Sequence, residues 1–341
     1  MDNQPIRFFY KLAISIGLLA CHSSLSLGQP QSNMPSAAID NYPNKPIKLV
    51  ITWPVGGFAD ILGRTIANQL GQILAQQVVV ENRGGANGMI GADVVAKATA
   101  DGYTLMFQSI TSHAINPSMY GKTPYSTEKD LIPLAVVGSV PMLLVANPSF
   151  PAKNITELIA LAKKEPDALS YASFGNGSAS HLAGALFTNQ AGIKMIHVPY
   201  KGGAPAITDT MGGQVPLSFS AFGVALPHVK AGKVIALGTT GSTRAKLLPE
   251  IPTIEESGNL KNYEMSIIYA VWAPTGLPTP IINKLSKALD QVINSNLYKD
   301  KLSSEGGEIM NINTPAESQA FFLKEMVRLS KIVKDGNIKA D

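Results

Sequence analysis

Trp53-Pro54-Val55-Gly56-Gly57-Phe58-Ala59-Asp60 is the stretch on which the fold turns. Ahead of it, Ile47-Lys48-Leu49-Val50-Ile51-Thr52 has the composition of a strand, and behind it Ile61 to Leu70 carries apolar residues at helical spacing. A glycine pair therefore sits in a strand-to-helix turn. Paired glycines let the backbone bend sharply and approach a ligand with no Cβ in the way. The helix that follows presents unpaired N–H groups and the positive end of its dipole, which together suit an anion. The same pattern also describes an ordinary tight turn, so recurrence along the chain is what decides.

The pattern recurs. Gln77 to Asn82 reads as a strand, Arg83-Gly84-Gly85-Ala86-Asn87-Gly88-Met89-Ile90-Gly91 as a second glycine-rich turn, and Ala92 to Ala98 as a helix. Tyr103 to Gln108 is a third strand, and Ser109, Thr111 and Ser112 lie just past it, hydroxyls at the same sheet edge as Gly56 and Gly57. Leu169 to Ser173 is a strand running into Phe174-Gly175-Asn176-Gly177-Ser178-Ala179-Ser180-His181, followed by a helix from Leu182 to Ala191 with Gly192 as its C-cap. Met195 to Tyr200 is a strand leading into Lys201-Gly202-Gly203-Ala204-Pro205, with proline where a first helical turn tolerates it. Alternating strand, turn and helix predicts a parallel α/β sheet, whose ligands sit at the carboxyl ends of strands. The Gly56–Gly57, Ser173–Ser178 and Lys201–Ala204 turns then form one candidate anion site.

Leu131 to Ala146 and Tyr263 to Ala273 read as long strands crossing between two lobes, and Ile281 to Ile293 and Ala316 to Val333 as closing amphipathic helices. The expected architecture is two α/β lobes around a cleft, the first lobe discontinuous: residues 42–140 and 266–341 in the first, 141–265 in the second.

Composition bounds the function. Of 341 residues, 45% are apolar and 15% charged, a globular balance, and the formal charge of +4 comes from scattered lysines with no basic, aromatic-interleaved stripe. Nucleic acid is therefore not an expected partner. Arg7 and Lys11 precede an apolar core at Leu12 to Ala20, too short to span a bilayer and suited to a signal peptide over residues 1–28. Cleavage before Gln29 is one exit. Leu18-Leu19-Ala20-Cys21, which resembles a lipoprotein box, is the other. Residues 29–41, rich in Ser, Pro, Gln and Ala, read as a flexible leader, and Cys21 is the only cysteine, so no disulfide is expected.

Enzyme motifs are fragmentary. Gly175 to Ser180 nearly spells a dinucleotide fingerprint, but Ser180 stands at the third glycine. Ser126-Thr127-Glu128-Lys129 has S-x-x-K spacing without companion motifs, and Asn116 stands where a P-loop ending at Gly121-Lys122-Thr123 needs glycine. Ser178 and His181 offer a dyad without a third member. Neither a cofactor nor a metal is expected.

In order and spacing, Tyr42-Pro43-Asn44-Lys45-Pro46, Gly56-Gly57…Asp60, Val80-Glu81-Asn82-Arg83, Asp101-Gly102-Tyr103, Ser173…Gly175…Gly177-Ser178…His181-Leu182, His197-Val198-Pro199-Tyr200-Lys201-Gly202, Pro249-Glu250-Ile251-Pro252-Thr253 and Trp272-Ala273-Pro274 are similar to one family. From about Tyr42 to its end the chain resembles the periplasmic receptors of tripartite tricarboxylate transporters, the Bug family. That resemblance implies a monomeric Venus-flytrap receptor of type II, closing on a small carboxylate held by backbone amides, hydroxyls and waters rather than by arginine, and a membrane permease as partner. A sensor kinase or chemoreceptor is the alternative partner.

Val55, Phe58 and Ala59 depart from the family pattern of proline at the first and a hydroxyl residue at the third. They suggest an apolar or aromatic wall and hence an aromatic mono- or dicarboxylate. Asp60 reads mainly as a loop support, because a carboxylate facing an anion repels it. His181 reads as a packed histidine, Lys201 equally as cleft cation or surface lysine, and Tyr200 equally as cleft wall or core.

Overall fold

The computed structural model describes residues 39–338 except 311 and 313. The signal segment, Cys21 and the leader as far as residue 38 lie outside the described residues. In chain order the strands are β1 (Ile47–Ile51), β2 (Val78–Asn82), β3 (Thr104–Ser109), β4 (Leu131–Ala146), β5 (Ser170–Ser173), β6 (Ile196–Pro199), β7 (Leu217–Ala221), β8 (Ile235–Thr239) and β9 (Ser266–Pro274). The helices are α1 (Phe58–Leu74), α2 (Met89–Ala96), α3 (Ile110–Tyr120), α4 (Ile155–Lys164), α5 (Ala179–Ala191), α6 (Gly203–Met211), α7 (Phe222–Lys230), α8 (Ile254–Gly258), α9 (Thr279–Asn294), α10 (Asn296–Ser304) and α11 (Pro315–Asp335).

The strands run β2-β1-β3-β9-β4-β7-β5-β6, with β8 on the other edge of β4's second half. β1 pairs in parallel with β2 and β3, and β9 runs antiparallel between β3 and β4. From Leu131 to Pro141, β4 pairs with β9; from Met142 to Ala146 it pairs with β7 and β8. One strand thus leaves the first sheet and enters the second at Pro141/Met142. Thr240, fully buried, fastens this point: its Oγ1 accepts from Met142 N at 2.8 Å and donates to Met265 O at 2.6 Å. The result is a two-lobed α/β fold of the periplasmic-binding-protein kind, its first lobe built from the beginning and end of the chain.

The same device seats a helix on each sheet. In α1, Gly63 lies where a Cβ would fall 2.6 Å from Ile51 Cδ1, and in α5, Gly184 lies where a Cβ would fall 2.2 Å from the Tyr171 ring. Ile51 and Tyr171 are buried strand residues, so each glycine lets a strand side chain fill the space a helix side chain would take. α5 ends on Gly192 in the left-handed region (φ 61°), as expected of its C-cap.

Three helices went unread. α3 and α7 each contain an internal proline, Pro117 and Pro227. α10 is a short polar run joined directly to α9 through Ser295, whose hydroxyl accepts from Tyr298 N. The two apolar runs divided by Pro141 are one continuous strand.

Candidate functional site

The opening turn forms as its sequence predicts. Gly56 adopts φ +83°, open to glycine at no steric cost. Gly57 caps α1 with no side-chain hydrogen bond. Val55 stands out into solvent, 70% exposed, and Ala59 is buried below. Asp60 is 3% exposed and accepts from Gly56 N (3.0 Å), Arg64 Nε (2.9 Å) and Asn82 Nδ2 (2.8 Å). Burial alone would raise its carboxyl pKa, but the hydrogen bonds from Arg64, the Gly56 amide and Asn82 hold it below the usual carboxylate range. Asp60 is therefore the buttress of the turn.

Phe58, half-buried, meets Tyr269 of β9 edge to face (centroids 5.7 Å apart, 67°), and Tyr269 stacks on Phe107 of β3 (5.2 Å, 9°). Phe58 is thus the partly exposed member of an aromatic wall at the start of α1, with Tyr269 and Phe107 buried behind it.

Sequence reading missed the hub behind this turn. Gln108, fully buried at the end of β3, accepts from Trp53 Nε1 (3.0 Å), its neighbour Ser109 N (3.0 Å) and the Thr52 hydroxyl, while its Nε2 donates to Asn87 O (3.3 Å). A Cβ on Gly88 would fall 2.0 Å from Gln108 Nε2. One amide thus ties together the first and second glycine turns and the start of α3. Its signal was a glutamine closing an otherwise apolar strand. Asn87 was missed as well. Its Nδ2 donates to Asn116 Oδ1 (2.9 Å), Ser112 O (3.3 Å) and Gly177 O (3.1 Å), linking the second turn to the Gly175–Ser178 turn.

The hydroxyls expected to face an anion make hydrogen bonds within the fold. Ser109 caps α3 by accepting from Ser112 N, and fully buried Thr111 donates to Ser266 O (3.0 Å) and accepts from Ile268 N (3.3 Å). Ser173, also fully buried, contacts His197 Nε2 at 2.6 Å and accepts from Gly175 N. Ser178 caps α5 and donates to Gly175 O (2.7 Å). These side chains fix the shapes of the β3–α3 and β5–α5 turns.

Beneath the turn the His181 and His197 rings stack with centroids 3.7 Å apart. His181 Nδ1 accepts from Gly177 N (3.3 Å), so it packs against its own loop, as its position near the helix start suggested. Burial, with His181 beside it, pushes the His197 pKa down to about 3. The Ser178 hydroxyl points to Gly175 O and the His181 ring to Gly177 N, so the two do not make the nucleophile–base pair considered from sequence.

The third candidate turn, Lys201–Ala204, locks onto the Gly175–Ser178 turn: Tyr200 N donates to Ser173 O and Gly202 N to Phe174 O, both at 3.1 Å. Gly202, φ +110°, caps α6 without a side-chain bond. Gly203 packs beneath Phe174, Ala204 and Lys201 are exposed, and the Tyr200 hydroxyl donates to Asp209 Oδ2 at 2.7 Å. Burial and Asp209 push the Tyr200 phenol up to about 12. A further strand-to-helix turn, unread from sequence, lies at β7–α7, where Ala221 caps α7 without a side-chain bond.

Every arginine among the described residues is already paired with a carboxylate: Arg64 with Asp60, Arg83 with Glu81, Arg244 with Glu256 and Arg328 with Glu325, at 2.5–2.9 Å.

Residues 62–338 match the model of the tripartite tricarboxylate transporter family receptor. The chain belongs to this family. The matched stretch begins four residues after Phe58, so the opening turn lies just outside it. Protein BugT of Bordetella pertussis is 34% identical over 301 residues, 88% of this chain and 92% of BugT. Among solved structures, Rpa4515 of R. palustris with adipate is 33% identical with a TM-score of 0.81, and the periplasmic binding protein BugD is 33% identical with a TM-score of 0.78. Each covers 88% of this chain and all of its own.

Proposed function

We propose that this receptor is exported, closes its two lobes on a small carboxylate with an aromatic or apolar body, and hands it to a membrane permease of the tripartite tricarboxylate type. The observation that carries the reading is the junction at Gly57–Phe58. There α1 starts without a side-chain cap, beside the Phe58–Tyr269 wall. Orphan N–H groups at such a start suit a carboxylate, and the adjacent rings suit an apolar body.

The uncapped start of α6 at Gly202 supports a second contact, and waters between backbone and ligand complete such sites at little cost. Within this reading the ligand touches Val55 to Ala59, the backbone of Gly175 to Ser178, and Tyr200 to Ala204. Ser109, Thr111, Ser173, His181 and Asp60 hold those turns in place. Lobe boundaries near residues 141 and 266 accord with the sheet change in β4 and the start of β9. Closure then follows from ligand affinity that is greater in the closed arrangement than in the open one. Relatives that are binding proteins, one of them with adipate, favour a receptor over a hydrolase.

The test is a thermal-shift screen of the protein starting at Gln29 against aliphatic and aromatic carboxylates. A true ligand at a hundredfold its Kd adds about 2.7 kcal/mol of stability. Silence across the whole library refutes the carboxylate reading, and equal response to citrate and to aromatic acids refutes the aromatic body.

A further inference from the structure

Glu305 lies outside every glycine turn, yet its side chain reaches the start of α7. It follows α10 and is mostly buried, with Lys301 Nζ, one helical turn earlier, 3.5 Å from Oε1. The other oxygen rests on the first turn of α7: a Cβ built on Gly223 would fall 1.4 Å from Glu305 Oε2. The next residue fits the same way, since a Cβ on Gly306 would fall 2.6 Å from the Phe222 ring. Gly138, the neighbour of Ser139 in β4, pairs with Tyr269, the ring that Phe58 abuts, and the pKa of the Tyr269 phenol is raised chiefly by burial, with the Glu305 charge adding to it. On the far side, α7 adjoins the third turn, where a Cβ on Gly203 would lie 3.8 Å from Val224 Cγ2. Three residues after Glu305, Glu308 is bonded to Ser139 of β4 in both directions (2.9 and 2.8 Å), so the Glu305 loop is anchored to the strand that joins the lobes.

We infer that Glu305 is a specificity-determining residue: a fixed negative charge on the cleft floor, between the aromatic wall and the α6–α7 turns. It excludes a second carboxylate at that end of the ligand and favours a neutral, hydroxyl or ammonium group there. This rests on the carboxylate reading above and narrows it. The positive end of α7 and the Lys301 ammonium are already matched by Glu305, so neither is left for a ligand anion. Like charges brought together in a closed, poorly hydrated cleft repel far more than in water, and the Lys301 ammonium, about one-third exposed and 3.5 Å away, offsets that repulsion only in part. Gly223 is what admits the carboxylate, because any side chain there displaces it.

The experiment is calorimetric titration of wild type, Glu305→Gln and Gly223→Ala with two matched series. One is benzoate, 4-hydroxybenzoate, 4-(aminomethyl)benzoate and terephthalate. The other is hexanoate, 6-aminohexanoate and adipate. Wild type is expected to bind each dicarboxylate at least about tenfold more weakly than its amine-bearing counterpart. Glu305→Gln narrows or reverses that ratio, and Gly223→Ala, in which the carboxylate is pushed aside, moves it the same way by less. Melting curves verify that both variants fold. A ratio unchanged to within about twofold in folded Glu305→Gln overturns this inference alone. Binding of neither series to any of the three proteins overturns the carboxylate reading and this inference with it.

Discussion

Replacing Asp60 by Asn separates a support from a ligand contact with one atom's change. The carboxylate accepts from three donors of three elements: the Gly56 amide in the turn, Arg64 one turn along α1, and Asn82 at the end of β2. An amide in its place keeps one acceptor and turns an NH2 group toward donors. A hydrogen bond to a charged group contributes about 1.5–3 kcal/mol. The share of Arg64 is discounted because its guanidinium is half-exposed and rehydrates. The remaining loss, one buried acceptor plus a donor–donor confrontation, is about 2 kcal/mol. With about 2.1 cal/mol/K of unfolding entropy per residue over roughly 300 residues, that lowers Tm by about 3 °C. Because the turn loosens as a unit, affinity should fall for every carboxylate in similar proportion. Differential scanning calorimetry, followed by ligand titration below Tm, reads both effects. If Asp60 instead faced the ligand, Asp60→Asn would relieve repulsion and tighten anion binding at unchanged Tm; that outcome refutes the buttress.

Other consequences are as direct. Phe58→Ala removes the ring that edges onto Tyr269, so aromatic acids should lose about fivefold or more in affinity relative to aliphatic ones of equal charge, as titration reads; an unchanged ratio contradicts the wall. Asn87→Ala cuts the bond to Gly177 O, and small-angle scattering of the ligand-bound protein should show a larger radius of gyration than wild type; identical profiles count against that bond as a closing contact. His113 and His197 are both depressed to about 3, chiefly by burial, against an unfolded value of about 6.5. Their stabilising contribution is therefore complete above pH ~6.5 and lost as pH falls toward ~3, by up to about 1.4 kcal/mol per pH unit for each histidine. Urea melts between pH 4 and 7 should show this slope, and His197→Gln should remove about half of it; a slope unaltered by that substitution refutes the assignment.

What the sequence made legible was what repeats or punctuates. Three strand–glycine–helix turns marked the sheet edge of the proposed site, and the long apolar run at Leu131 to Ala146 marked the passage from one sheet to the other, whereas Tyr263 to Ala273, read as a second crossing, is β9 and pairs only within the first sheet. α3 and α7 escaped because Pro117 and Pro227 read as breakers, whereas tertiary packing overrides one missing N–H late in a short helix. Hydroxyls were hard to place for a different reason. Spacing shows that Ser173 and Thr111 lie near the turns, but not which way a side chain points, and both point into the core. Gln108 and Asn87 were invisible because their partners lie on other elements, up to 90 residues away in sequence. Glu305 belongs to the same class. Nothing local marks it, and its meaning comes from a glycine more than eighty residues earlier.

The passage of β4 from one sheet to the other has a mechanical consequence. At Pro141 the strand is still laddered to Ser266, and one residue later it is held by Thr240 and laddered to Ala221. The lobes are thus coupled by a hydrogen-bonded ribbon and not by slack linkers. Paired strands resist stretching, because that breaks the ladder, yet they accept a wide range of twist. The two halves of the receptor therefore behave as bodies on a torsion bar, for which wringing is cheap and pulling apart is costly. In the proposed closure, entry and release of the solute run along that twisting coordinate.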